Sequence, residues 1–166
     1  MNPETILEVL ILDFRLQGYD RAVFSLILQK INTITMKIKT GIGIDIHRLE
    51  PGLDFWLGGI KLEHEKGCVA HSDGDVVLHA ISDALLGAAA LGDIGLHFPD
   101  TSDEFKGADS KLLLARCVEL LREKGYAVGN VDCTISMQRP KLRPHIDRMR
   151  ETIARTIGID TDAVSV

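Results

Sequence analysis

The chain has 166 residues, 45% hydrophobic and 26% charged, which is one domain's worth of sequence with enough apolar residues for a real core. Nineteen basic against 24 acidic residues leave a net charge of −5, so the basic excess of a protein that holds nucleic acid by neutralising phosphates is missing. Three cysteines, Cys68, Cys117 and Cys133, are odd in number and form no C-x-x-C pair; they suit a reducing cytoplasm and argue against a disulfide frame or a thiolate metal site.

No segment reaches the ~18 consecutive apolar residues of a membrane span. The most apolar N-terminal stretch, Ile6 to Phe14, is broken by Glu8 and Asp13 and has no basic residue before it, unlike a secretory signal. The expectation is a soluble cytoplasmic protein acting on a small molecule.

Residues 1–35 read as an amphipathic extension, helical or disordered, ending at the internal Met36. From there the pattern turns to alternation. Lys37 to His47 reads as a strand with Ile42, Ile44 and Ile46 facing a core, and with Asp45, His47, Gly41 and Gly43 on the other side. The glycines leave room there for something to approach the backbone. Phe55 to Leu62, after the Pro51-Gly52 turn, reads as a second strand.

Ser72 opens a long helix to about Leu91, closed by Gly92, with Ser72 and Asp75 spaced like a capping box. That start puts His71 and Ser72 at a helix N-terminus, where free N–H groups favour an anion such as phosphate. Asp75, His79 and Asp83 form a stripe opposite Val77, Ile81, Ala84 and Ala88. Alone, this stripe is a solvated polar face. With Asp45 and His47 it becomes a carboxylate and two imidazoles, a ligand set suited to zinc with a fourth position open for chemistry. Asp83, one turn on, is placed either to orient a ligand or as a surface carboxylate.

Gly92 to Asp100 reads as a loop rich in turn formers, in which Gly95 lets backbone amides face a ligand; His97 is left out of the catalytic set. A helix follows from Lys111 to Lys124, capped by Asp109 or Ser110. Val128 to Met137 reads as a strand with Val131, Cys133, Ile135 and Met137 on one face. Next comes a stiff loop, Met137 to His145, carrying Arg139, Pro140, Lys141 and Arg143; it suits an anionic or nucleotide-like ligand, or is a solvated basic loop. Pro144 to Ile157 forms a last helix, and Asp162 to Val166 opens a strand for which no partner follows, so the sequence looks cut short.

Asp45-Ile46-His47, His71-Ser72-Asp73-Gly74-Asp75 with His79, Gly92-Asp93-Ile94-Gly95 with Phe98-Pro99-Asp100, and Arg139-Pro140-Lys141 fall in the order found in one known family. From Met36 to Val166 the chain resembles the 2-C-methyl-D-erythritol 2,4-cyclodiphosphate synthases of non-mevalonate isoprenoid biosynthesis. The resemblance implies a lyase that closes 4-diphosphocytidyl-2-C-methyl-D-erythritol 2-phosphate into the cyclic diphosphate and expels CMP. It implies an α+β two-layer sandwich, a mixed sheet with helices on one face, assembled as a homotrimer with active sites between subunits.

Carried over residue by residue, the resemblance gives zinc to Asp45, His47 and His79, and transition-state contacts to His71 with Ser72. It gives the methylerythritol hydroxyls to Asp93 and Gly95, a neighbouring loop to Phe98, Asp100 and Ser102, and a cytidine pocket to Met137, Arg139, Pro140, Lys141 and Arg143. The family's tail, with a glutamate for magnesium or manganese on the substrate diphosphate, has no counterpart after Val166. Residues 1–35 have none either; an upstream translation start accounts for them more simply than a partner-binding helix. Two other readings compete: a non-catalytic copy that binds zinc or nucleotide or co-assembles with complete subunits, and another zinc-dependent phosphoester hydrolase.

Overall fold

The structure is a computed structural model that describes residues 38–99, 101, 105 and 107–166. The expected extension over residues 1–35, the start at Met36-Lys37 and the site candidates Asp100 and Ser102 lie outside the described residues. Residues Lys39–Val166 form one compact unit, which the description below concerns.

Its elements are β1 (Leu49–Pro51), β2 (Phe55–Leu57), β3 (Ile60–Leu62), β4 (Lys66–Cys68), α1 (Val76–Ala88), α2 (Ile94–His97), α3 (Ser110–Glu123), β5 (Val131–Asp132), α4 (Ile146–Ile157) and β6 (Val164–Ser165). The class is α+β, as expected. The single mixed sheet is not formed among the described residues. Three two-stranded ladders take its place: β1 with β4 and β2 with β3, both antiparallel, and β5 with β6, parallel.

Helices α1, α3 and α4 pack in sequence. In α3 the buried residues Leu114, Cys117, Val118 and Leu121 recur at helical spacing. Met149, Ile153 and Ile157 do the same in α4. They meet the hairpin residues Phe55, Leu57, Ile60 and Leu62 and the α1 residues Val77, Leu78 and Ile81 in one core. Each such side chain removed from water contributes about 1.5–3 kcal/mol.

Phe55 to Leu62 is a hairpin rather than one strand. Gly58 and Gly59 both take positive φ, 62° and 79°, the backbone a two-residue turn between twisted strands requires. The turn is held from outside: Asp75, fully buried, accepts from the N–H groups of Gly58 (2.9 Å) and Gly59 (2.6 Å). The same carboxylate accepts from Val77 and Leu78, 3.2 and 3.1 Å, and so caps α1. The helix therefore starts after Asp75 and not at Ser72, because the buried carboxylate takes the first free amides. It stops at Ala88 rather than near Leu91, since Ala90 turns left-handed at φ 57°.

The segment expected as the first strand differs most. Residues 38–48 form no ladder, and the facing is reversed: Ile42, Ile44 and Ile46 are 73–87% exposed, while Gly43, Asp45 and His47 point inward. The reason is helix α1. A Cβ at Gly41 would overlap the Ala84 carbonyl, and one at Gly43 the Ala80 carbonyl. The space left by the glycines is filled by this helix backbone, not by a ligand.

Val131 to Met137 keeps the expected alternation of exposure, Gly129 and Asn130 before it are both exposed, and only Val131–Asp132 is laddered. The terminal strand does have a partner, since Val164 pairs with Val131. The loop after Gly92 contains a short helix, α2, capped by Asp93.

Asp75→Asn turns one of the two acceptor oxygens into a donor facing an N–H group. The expected cost is about 2–3 kcal/mol, read as a lowered urea midpoint; a midpoint equal to that of the unaltered chain would show that the carboxylate does not hold turn and helix together.

Candidate metal centre

Asp45 and His47 reach the site because the Gly41–Gly43 stretch lies flat on α1, and His79 meets them from the first turn of that helix. The three are half-buried, and one ligand atom from each falls within 4.8 Å of the others. His47 Nδ1 lies 2.8 Å from Asp45 Oδ1 and His79 Nδ1 lies 3.0 Å from Asp45 Oδ2. His47 Nδ1, although 2.8 Å from Asp45 Oδ1, makes no well-aligned hydrogen bond with it. Two imidazole nitrogens and a carboxylate oxygen converging this closely could all engage one cation, so the donor set fits a divalent metal such as zinc.

Burial alone pushes the Asp45 carboxyl up, but the hydrogen bond with His79 and the charges of His47 and His79 outweigh it, and the group sits below the ordinary carboxylate range. Burial raises Asp75 above that range, against the pull of the Gly59, Leu78 and Gly58 amides. Burial also pushes the thiols of Cys68, Cys117 and Cys133 up to about 11, so they stay protonated near neutrality and supply neither thiolate ligand nor nucleophile.

Around His79 the structure adds two residues that sequence reasoning gave no role at the metal. Ser110 Oγ is 2.9 Å from His79 Nε2. Asp73 accepts from both the amide and the hydroxyl of Ser110. Ser72 Oγ also approaches His79 Nε2, at 3.1 Å, and accepts from Gly74 N–H. The signal available beforehand was Asp73 inside His71–Asp75 and a serine at a helix start; their meeting across 37 positions was not readable.

The remaining candidates fall in three places. His71 lies half-buried in the turn before α1, and its carbonyl accepts from Gly107 N–H. At the start of α1 the Val77 and Leu78 amides are already taken by Asp75, so an anion beside His71 and Ser72 would not draw on those two N–H groups. Asp83, weighed as a ligand-orienting residue, accepts from Ile94 N–H at 2.8 Å and ties α1 to the loop before α2. Asp93 accepts from Leu96 N–H, Gly95 is exposed, and Phe98 stacks edge-on against Phe105 with ring centres 5.4 Å apart. His97 donates to the Leu91 carbonyl at 2.8 Å, a structural bond.

Arg139, joined to Pro140 by a cis peptide bond, lines an open concavity of about 560 Å³ with Pro140, Lys141, His64 and Glu65. This concavity shares no lining residue with the Asp45–His47–His79 cluster. Met137 packs partly against the main core, and Arg143 opens a 3-10 turn.

Comparison with known proteins follows the same residues. The sequence model of the YgbB family matches residues 38–166. A 2-C-methyl-D-erythritol 2,4-cyclodiphosphate synthase of Bacteroides thetaiotaomicron is 56% identical over 131 residues, 79% of this chain and 82% of that protein. A solved synthase in a CDP-bound form superposes with a TM-score of 0.73 at 37% identity, covering 76% of this chain and 85% of that one. The bifunctional IspDF from Campylobacter jejuni gives a TM-score of 0.75 at 40% identity, over 78% of this chain and 35% of that one. Among the described residues no helix is long and apolar enough to cross a membrane.

A carboxylate whose folded pKa is depressed adds stability above its unfolded pKa and loses it as pH falls through the folded one. The metal-free chain is therefore expected to lose urea stability relative to Asp45→Asn as pH falls through the ordinary carboxylate range and below it. A difference between the two that stays constant across this range would mean that Asp45 gains nothing from the two histidines.

Proposed function

The chain belongs to the YgbB family, the enzymes that make 2-C-methyl-D-erythritol 2,4-cyclodiphosphate in isoprenoid biosynthesis, and from that premise we propose how its residues divide the work. The enzyme is a lyase of this class. Its substrate is 4-diphosphocytidyl-2-C-methyl-D-erythritol 2-phosphate. An oxygen of the 2-phosphate forms a bond to the β-phosphorus, the bond from that phosphorus to CMP breaks, and CMP leaves with the electron pair. The reaction joins two ends of one molecule, so most of the catalysis is orientation and charge neutralisation.

Asp45, His47 and His79 hold a divalent metal, zinc by the chemistry of the donor set. When bound it supplies positive charge for the attacked diphosphate. The observation that carries this reading is the convergence of one ligand atom from each of the three residues within 4.8 Å. His71 and Ser72, in the turn beside His79, contact the phosphate and stabilise the transition state. Asp93 and Gly95 hold the methylerythritol hydroxyls, with Phe98 and Asp100 along the neighbouring loop. A second cation, magnesium or manganese, accompanies the substrate diphosphate. Met137, Arg139, Pro140, Lys141 and Arg143 form the cytidine pocket, a reading supported by the concavity at Arg139–Lys141 and by the CDP held in a solved relative. Residues 36–166 form the synthase domain.

Three copies assemble, with the metal of one subunit and the nucleotide pocket of its neighbour making one active site. Two features support this. The metal cluster and the basic concavity have no residue in common within one chain. Ile42, Ile44 and Ile46 present an apolar row to water on the reverse of the segment that carries Asp45 and His47, the kind of surface that marks an interface.

His79→Ala is expected to abolish zinc binding and to lower CMP release by more than about a hundredfold, beyond the usual loss from an outer partner of a metal ligand. Phosphorus NMR of the product separates this reaction from simple phosphoester hydrolysis, because only cyclisation couples both phosphates in one ring; two uncoupled phosphates would refute the synthase reading. Light scattering is expected to give three times 18.3 kDa for the unaltered chain and one subunit for Ile44→Glu. A monomeric unaltered chain, or a variant that stays trimeric, would discard the isoleucine row as the interface.

A further inference from the structure

A hydrogen-bond relay reaches the ring nitrogen of His79 that points away from Asp45. Asp73, as a carboxylate, only accepts. It takes the Ser110 amide N–H at 3.0 Å and also the Ser110 hydroxyl proton, while its Oδ1 accepts from Asp75 N–H at 3.2 Å. With its proton committed to Asp73, Ser110 Oγ can meet His79 Nε2, 2.9 Å away, only as an acceptor. The proton of that contact must then lie on Nε2. Ser72 Oγ lies 3.1 Å from the same nitrogen and accepts from Gly74 N–H; it can accept from a protonated Nε2 as well. Nδ1 at the opposite side of the ring faces Asp45 Oδ2 at 3.0 Å, on the side where the three candidate ligand atoms converge; without a metal that contact carries a proton on Nδ1, and it is this proton, not the one on Nε2, that a metal displaces. Ser110 is 1% exposed, so no water competes for its hydroxyl.

We propose that Asp73, acting through Ser110, keeps a proton on His79 Nε2 and so presents the Nδ1 lone pair to the metal. The two are positioning residues; neither touches the metal. The inference rests on the metal reading given above and extends it to residues outside the Asp45–His47–His79 set. Metal-ligating histidines commonly donate their second ring N–H to a carboxylate. Here a serine is interposed, which ties the ligand to the first residue of α3 and to the turn before α1 at once.

The test uses the full chain. In the protein labelled with nitrogen-15 and loaded with cadmium-113, the His79 ring is expected to show metal coupling at Nδ1 and a proton on Nε2. Zinc affinity, measured by competition with a chromophoric chelator, is expected to fall about 10–100-fold in Ser110→Ala and in Asp73→Asn, with far-ultraviolet circular dichroism unchanged. Metal coupling at Nε2 would overturn the relay, and so would variants that bind zinc as tightly as the unaltered chain. The NMR measurement needs no variant, so it decides the matter even where a substitution prevents folding. An unaltered chain that takes up neither metal would overturn the metal reading itself, an outcome distinct from metal bound through the wrong nitrogen.

Discussion

Everything near the site hangs on one buried carboxylate. Asp75 gathers four backbone N–H groups, two from the hairpin turn at Gly58-Gly59 and two from the first turn of α1. Neither set has another acceptor in its own element: the turn amides face inward, and the first helical amides have no carbonyl one turn back. One side chain therefore fixes the start of α1 and its placement against the β2–β3 hairpin. His79 is four residues on, one turn into the helix, so its position inherits the precision of that cap.

The second constraint is steric. Between Gly41 and Gly43 the chain lies against the backbone of α1 at Ala80 and Ala84, an approach that any side chain at either glycine would forbid. This contact places Asp45 and His47 beside His79. It also leaves Ile42, Ile44 and Ile46 facing water, so the geometry that builds the ligand cluster creates an apolar outer row as well. In the proposed trimer a neighbouring subunit covers that row and brings its own basic loop to the metal, so one segment serves both the site and the assembly.

His79 is held from both sides of its ring. On one side Asp45 is drawn below the ordinary carboxylate range by the histidines, against its own burial. On the other, Ser110, its hydroxyl proton committed to Asp73, accepts from Nε2. Asp83 acts elsewhere on the same helix, anchoring the amide of Ile94 and through it the α2 loop that carries Asp93 and Gly95. Helix α1 thus links the Asp45–His47–His79 cluster, the turn at His71 and Ser72, and the segment that carries Asp93 and Gly95.

The sequence by itself determined the family, because its motifs are long. It also singles out Asp45, His47 and His79 as residues that could together hold a metal, since coordination demands particular side chains, and the structure does bring the three together. The helices over Ser110–Glu123 and Ile146–Ile157 were legible within a few residues, since a 3.6-residue apolar period and its caps are local signals. What tertiary structure alone decided is which face points where. A two-residue period shows that Ile42, Ile44 and Ile46 share a side, but not whether that side meets this chain's core or an outer surface. Asp75 looked like part of a polar stripe, and only the hairpin folded onto it makes it a buried cap. Ser110 and Asp73 joined His79 for the same reason: contacts between residues far apart in the chain follow from packing, and no local pattern encodes them.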